Sequence, residues 1–251
     1  MYENYLSSGF CHTPTAEDSR GGITELVLYN PTPEPSEATM TAYFADRDRA
    51  PHTLAPVQVA PETNARVVMP DMAPEVFANC GYWGAKVLST TPLMVNVIDG
   101  VCIQIGEPMF SGGRTNFRGT KLHAQWHFPD GLWLEWNKFY QGAIARAPFP
   151  FNELEHYHFL NPHPRDAEVD MTLQFRGGEQ TTLHFTVKSE RVFVWENVDK
   201  VPYNKGFGVK IVSSEPISTA AVRYIYGLSG LDEWGMQAHC AMWGVPGPIT
   251  A

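Results

Sequence analysis

Glu155–Phe175, EHYHFLNPHPRDAEVDMTLQF, and Glu25–Phe44, ELVLYNPTPEPSEATMTAYF, superpose without a gap from Asn-Pro onward. An offset of 131 carries Asn30-Pro31 to Asn161-Pro162, Met40 to Met171, Thr41 to Thr172 and Phe44 to Phe175. In both stretches an apolar strand runs into an Asn-Pro turn and returns as an alternating one. Ala38, Met40, Ala42 and Phe44 face one way and Thr39, Thr41 and Tyr43 the other, the period-2 pattern of a half-buried strand. A repeat at about half the chain length makes the fold a duplication.

Outward from that pair the other signals follow in the same order. YWGAKVLST at 82–90 matches GFGVKIVSS at 206–214, with Gly84 on Gly208, Lys86 on Lys210, Ser89 on Ser213 and Pro92 on Pro216, now at an offset of 124. The second repeat is therefore shorter in its central turns, where insertions are tolerated. Each Pro is read as the turn of a strand–Pro–strand hairpin, with 217–226 as the last paired strand and Asp99-Gly100 ending the one before the join. Residues 70–79 read as a loop or one helical turn. The Gly-, Ser- and Pro-rich GEPMFSGGRTNFRG, 106–119, reads as a linker between a first unit over 1–105 and a second over 120–251. The expectation is all-β, two tandem antiparallel β-sandwiches related by an internal repeat, with one closed barrel as the competing architecture.

Composition bounds the function. The 251 residues carry a net charge of −9 and no Lys/Arg cluster, so a nucleic-acid partner is not expected. No apolar run of the length of a membrane span occurs, and the N-terminus shows no secretory pattern. Cys11, Cys80, Cys102 and Cys240 form no CxxC pair, which favours a reducing, cytoplasmic setting, although Cys80 and Cys102 could bridge. Neither a GxSxG elbow nor a phosphate-binding glycine loop is present.

Seven of the nine histidines lie in the second repeat or its tail. His156 and His158 share one strand face, opposite Tyr157 and Phe159. His123 and His127 share another, opposite Trp126 and Phe128. Two such pairs near Glu155 have the composition of a divalent transition-metal site, zinc for example, which would make the chain a metal-dependent enzyme. Alternatively they are polar stripes that never meet. Trp126, Trp133, Trp136, Phe139, Tyr140 and Trp195 could form a stacking platform for the apolar faces of a sugar, or be core. Asp130, Glu135, Asn137 and Glu155 would bind hydroxyls, and Arg223 would anchor an anionic group or pair with a carboxylate.

WHFPDG at 126–131, the Glu155–Asn161 strand ending in Leu-Asn, the run Val209–Arg223 and Ala241-Met242-Trp243 resemble the sensory rhodopsin transducer family. The resemblance covers most of 120–245 and, more weakly, 23–100, where the Trp and Asp-Gly opening is missing. It implies small β-sandwich domains that bind small molecules, with sugars the suggested ligands, and that form homo-oligomers; one branch serves as a photoreceptor's soluble partner. The leading expectation is a non-enzymatic carbohydrate-binding protein without a cofactor, using Trp126, Asp130, Trp133, Trp136, Glu155 and Arg223. The alternatives are the metal-dependent enzyme on His123, His127, His156 and His158, or a structural or signalling oligomer.

Overall fold

The computed structural model describes residues 1–12, 20–104, 110–132, 134–135, 151–197, 200–202, 205–228, 234–242 and 244–247. The chain is all-β. The first repeat comprises β1 (Tyr2–Cys11), β2 (Arg20–Tyr29), β3 (Ser36–Phe44), β4 (His52–Thr53), β5 (Val57–Val59), β6 (Asn64–Val68), the one-turn helices α1 (Met69–Met72) and α2 (Pro74–Phe77), β7 (Gly81–Ser89), β8 (Met94–Gln104) and β9 (Phe110–Arg118). The second comprises β10 (His123–Gly131), β11 (Leu134–Glu135), β12 (Phe151–Asn161), β13 (Ala167–Phe175), β14 (Gln180–Val187), β15 (Arg191–Glu196), β16 (Phe207–Leu228), β17 (Trp234–Met242) and β18 (Val245–Pro246). No helix among the described residues is long and apolar enough to cross a membrane.

Pairing is antiparallel throughout and the two repeats share one wiring. In the first, β1, β3, β4 and β5 assemble around β7, while β6, β2, β8 and β9 form the facing sheet. In the second, β10, β13 and β14 assemble around the first half of β16, and β15, β12, the second half of β16 and β17 form the facing sheet. Even the register is duplicated. Met40 opposes Val87 as Met171 opposes Ile211, and Leu26 opposes Val97 as Tyr157 opposes Ala221. A one-residue slip would turn every core side chain outward, so alternation such as Ala38, Met40, Ala42, Phe44 pins the register in each repeat. Each repeat has its own buried cluster, one around Trp83 and Phe77, the other around Trp126 and Phe159, which excludes a single barrel.

Two sequence expectations change. The stretch 106–119, read as a linker, is a strand over Phe110–Arg118, paired to β8 from Asn96 to Gln104. Its glycines weaken strand propensity, but β8 supplies a complete ladder. Consequently β8 also runs on through Asp99-Gly100 instead of ending there. The Pro92 and Pro216 turns, read as hairpins, are crossings between facing sheets: β7 lies in one sheet and β8 in the other, and β16 passes from one to the other without a break. Proline cannot donate to a ladder, so the strand leaves its sheet there. A buried serine closes each turn, Ser89 Oγ donating to Thr91 O at 2.7 Å and Ser213 Oγ to Glu215 O at 2.6 Å.

The opening strand of each repeat carries a β-bulge at the same place, between Leu6 and Gly9 and between Phe128 and Gly131. A Cβ on Gly9 would stand 2.5 Å from the Trp83 ring, and one on Gly131 2.2 Å from the Phe207 ring. The glycines let the bulged backbone lie on an aromatic face. Gly131→Ala is expected to cost about 1–3 kcal/mol in urea denaturation, with partial recovery when Phe207→Leu is added.

The two sandwiches stack through the β1–β7–β3 sheet of the first and the β12–β15–β16 sheet of the second. Tyr5, Tyr43, Leu160 and Val192 form a buried cluster across this seam, and Val222 and Tyr224 reach the first core. Gly84 lies so close that a Cβ would meet Val192 at 3.0 Å. β1 is enclosed at this seam, buried from Tyr5 to Cys11. The Cys11 thiol hydrogen-bonds that of Cys80, this contact together with burial pushes the Cys80 thiol far up, and neither of the two forms a disulfide. Cys80 thus neighbours Cys11, whereas the sequence reading had offered Cys102.

Candidate functional site

At one end of the second sandwich the bulge at Gly131 brings Asp130 and the Leu132 amide to Glu155 of β12 and its ladder partner Arg223. There Glu155 is completely buried. Its Oε1 accepts Arg223 Nη2 at 2.6 Å, Arg223 Nε at 2.9 Å and the Leu132 N–H at 3.0 Å. Its Oε2 accepts the Tyr157 hydroxyl at 2.9 Å. Asn197, also fully buried, ties the backbone around it, accepting from Glu155 N at 3.0 Å and donating to Leu132 O at 3.0 Å. Arg223 lies opposite Glu155 in the ladder and extends outward to Asp130, Nη2 to Oδ2 at 3.0 Å. The Asp130 side chain is 66% exposed and that of Arg223 16%, so the network starts dry and ends in solvent.

Burial outweighs the downward pull of Arg223, Tyr157 and the Leu132 amide and leaves the Glu155 carboxyl raised to about 7. The same burial, with the Glu155 charge beside it, holds the Tyr157 hydroxyl well above its usual range.

The first repeat has the same position without the charge. Register places Thr24 where Glu155 stands and Phe10 where Leu132 stands. The Phe10 N–H donates to Thr24 Oγ at 2.9 Å, and Thr24 Oγ donates to Phe10 O at 3.1 Å. Hence strand-to-strand tethering at this point belongs to the fold, and the carboxylate–guanidinium cluster belongs to the second repeat.

Of the six expected ligand residues, Asp130, Glu155 and Arg223 come together. Trp126 does not join them: it is 1% exposed, in the core, with its N–H donated to His123 O and Ile217 O. Trp133, Trp136, Phe139, Tyr140 and Asn137 lie outside the described residues, as does the side chain of Glu135. Trp195 is core, packed on Tyr157. The sequence reading missed Tyr157, taken only as core, and Asn197, which carries no pattern of its own.

The four histidines do not converge. His127 lies on the outer face of the β10 sheet, where Gln125 Nε2 donates to its Nε2 at 2.8 Å, whereas His123, set off by a bulge, packs edge-on against the buried Trp126. His156 and His158 lie on the opposite outer face of the sandwich, pressed into the seam against Tyr82 of the first repeat. Tyr82 Oη is 3.1 Å from His156 Nδ1, and His156 Nε2 is 3.5 Å from Glu196 Oε1. Among the described residues no three potential metal ligands cluster. The metal-centre expectation on His123, His127, His156 and His158 therefore loses its geometry. Glu25 and Val27, the equivalents of His156 and His158, differ because the first repeat's β2 sheet faces away from the seam; Glu25 pairs with the exposed Arg66 at 3.3 Å.

His158 is 1% exposed and neither ring nitrogen has a hydrogen-bond partner. Burial, then the neighbouring His156, holds its pKa well below the usual value. The unfolded chain takes up a proton below about pH 6.5 that the folded protein refuses. The associated stability is therefore complete above that pH and lost as the pH falls. His158→Leu is expected to raise stability by about 1–2 kcal/mol at pH 7, by removing two unsatisfied buried nitrogens, and by more at pH 5. Melting at the two pH values checks this.

No family model and no curated protein matches the chain. Among solved structures, that of Thermotoga maritima 1070 is similar over 47% of this chain and 91% of its own, at 13% identity and a TM-score of 0.36. Anabaena sensory rhodopsin transducer is similar over 39% of this chain and 91% of its own, at 19% identity and 0.30. Vicilin from Corylus avellana matches over 95% and 75%, at 9% identity and 0.18. None of these likenesses shows a family.

Proposed function

We propose that this chain is a non-enzymatic binding protein whose second repeat takes a small polar ligand, a carbohydrate, at Asp130 and Arg223. The observation that carries the reading is the Glu155–Arg223–Asp130 network, buried at one end and open at the other, with Thr24 in the first repeat where Glu155 stands in the second. Glu155, itself fixed by the Tyr157 hydroxyl, holds the guanidinium from behind, so Arg223 is presented in one orientation. An exposed carboxylate beside a fixed guanidinium offers two strong acceptors and further N–H donors, the set that vicinal hydroxyls need. The resemblance of WHFPDG and Glu155–Asn161 to the transducer family points to the same ligand class and to self-association.

Titration calorimetry against neutral mono- and disaccharides tests it. At least one sugar is expected to bind saturably, and Asp130→Ala, an exposed change, is expected to weaken it by about tenfold, the loss of one charge-assisted hydrogen bond. No heat with any member of the panel would remove the carbohydrate reading.

A further inference from the structure

The repeats enclose a second cleft, at the seam and away from Asp130. Its volume is about 390 Å³, within the size range of small-molecule sites. One wall is apolar: Tyr82 and Ala45 of the first repeat face Val192 and Val194 of β15. The rim is cationic, with Arg47 from the turn after β3 and Lys188 and Arg191 from the second repeat. Glu196 is the one acidic lining residue. Three cations to one carboxylate is the reverse of the chain's overall balance of −9.

The rim is assembled from both repeats. Arg191 donates to Glu190 O at 3.0 Å and to Arg47 O at 3.1 Å, which holds the Arg47 turn against β15. The Arg47 side chain is exposed and makes no ion pair among the described residues. Lys188 pairs with Asp166 at 2.8 Å, but both are solvated, and such pairs contribute about 1 kcal/mol or less, so a ligand can take Lys188 over. Tyr82 is fixed from behind by His156, so the apolar wall is preformed.

We infer that the cleft between the repeats binds a small organic anion: an oxyanion head held by Arg47 and Lys188 and an aromatic or aliphatic body laid on Tyr82 and Val194. A cleft with low-dielectric walls focuses the field of its rim charges, and the flat guanidinium fork fits carboxylate and phosphate heads alike. Neither repeat alone forms this site, since the wall and the rim each draw on both.

The test is a titration of the full chain followed by NMR of its aromatic side chains, using phenyl phosphate and benzoate as probes and benzyl alcohol as the neutral control. Saturable shifts of the Tyr82 ring are expected with at least one anion at millimolar concentration, and none with the alcohol. The double variant R47E/K188E changes two exposed residues, so its melting should match the parent, and its affinity should fall by about tenfold or more. D130A should bind the anions unchanged, which separates this site from the sugar site. Absence of saturable shifts with both anions, equal affinity in R47E/K188E, or shifts centred on Asp130 would each overturn the inference.

Discussion

Arg223→Met is expected to lower the unfolding free energy by about 3 kcal/mol at pH 8 and by only about 1 kcal/mol at pH 5. The difference comes from Glu155. In the unfolded chain its carboxyl titrates at the ordinary value of 4.5, and in the folded protein at about 7. Between those values the folded state holds a proton that the unfolded state has released. Stability from this group is therefore complete below about pH 4.5 and is lost as the pH rises through 7. In the parent the loss is limited because Arg223 and Tyr157 receive the charge once it forms.

Without Arg223 the strongest downward pull is gone, and the carboxyl keeps its proton to higher pH at about 1.4 kcal/mol per pH unit. At pH 5 Glu155 is neutral in both proteins, and the variant loses one hydrogen-bonded partner and little else. Urea denaturation at pH 5, 6.5 and 8 checks this. A loss that does not depend on pH would show that Arg223 acts through packing. Glu155→Gln should flatten the pH dependence, because no group at that position then titrates. His158 works in the opposite direction, so the two contributions oppose each other between about pH 4.5 and 6.5, and the parent should lose stability through Glu155 above that window and through His158 below it.

Asn161→Ala is expected to cost about 3 kcal/mol, and so is Asn30→Ala. Both side chains are fully buried at the Asn-Pro turn. Asn161 Nδ2 donates to Arg165 O at 2.8 Å, Val187 O at 3.1 Å and Lys188 O at 3.2 Å, and its Oδ1 accepts from His163 N at 3.1 Å. Asn30 makes the same set: Nδ2 to Glu34 O at 2.7 Å, Val59 O at 3.2 Å and Ala60 O at 3.3 Å, and Oδ1 from Thr32 N at 3.1 Å. One amide thus joins the turn to the strand end across the sandwich. Alanine leaves those carbonyls and one N–H unanswered. Asn161→Asp should be at least as damaging at pH 7, because a carboxylate would face three carbonyl oxygens with no donor. The two alanine losses should add to within about 0.5 kcal/mol, since the turns share no partner.

Much of this fold was legible in the chain before any coordinates. The Asn-Pro pair, the Met-Thr pair ten residues later and the alternating apolar positions specify strand, turn and strand, and they specify them twice. They do so because each rests on local stereochemistry: proline ends a ladder, asparagine closes the turn, and period 2 assigns the faces. Of the site, the residue types Asp130, Glu155 and Arg223 were legible, because a carboxylate on an apolar strand stands out.

Other features depend on what lies across the sheet. Whether a proline turn folds back or crosses to the facing sheet is decided by which ladder the next strand can complete, so β7–β8 and β16 escaped the hairpin reading. Phe110–Arg118 reads as a linker by composition and is a strand because β8 is beside it. The histidines carry the sharpest example. His156 and His158 differ from Glu25 and Val27, a contrast that composition alone assigns to a working site. Only the packing of one sandwich on the other reveals that they line a seam, since burial of an outer sheet face is a property of the neighbour and not of the strand. The sequence by itself determined the duplication, the Asn-Pro turns and the face alternation of the strands beside them, which are local. The tertiary structure alone decided which polar residues became a buried ion network, which became an interface, and where the two repeats left a cleft between them.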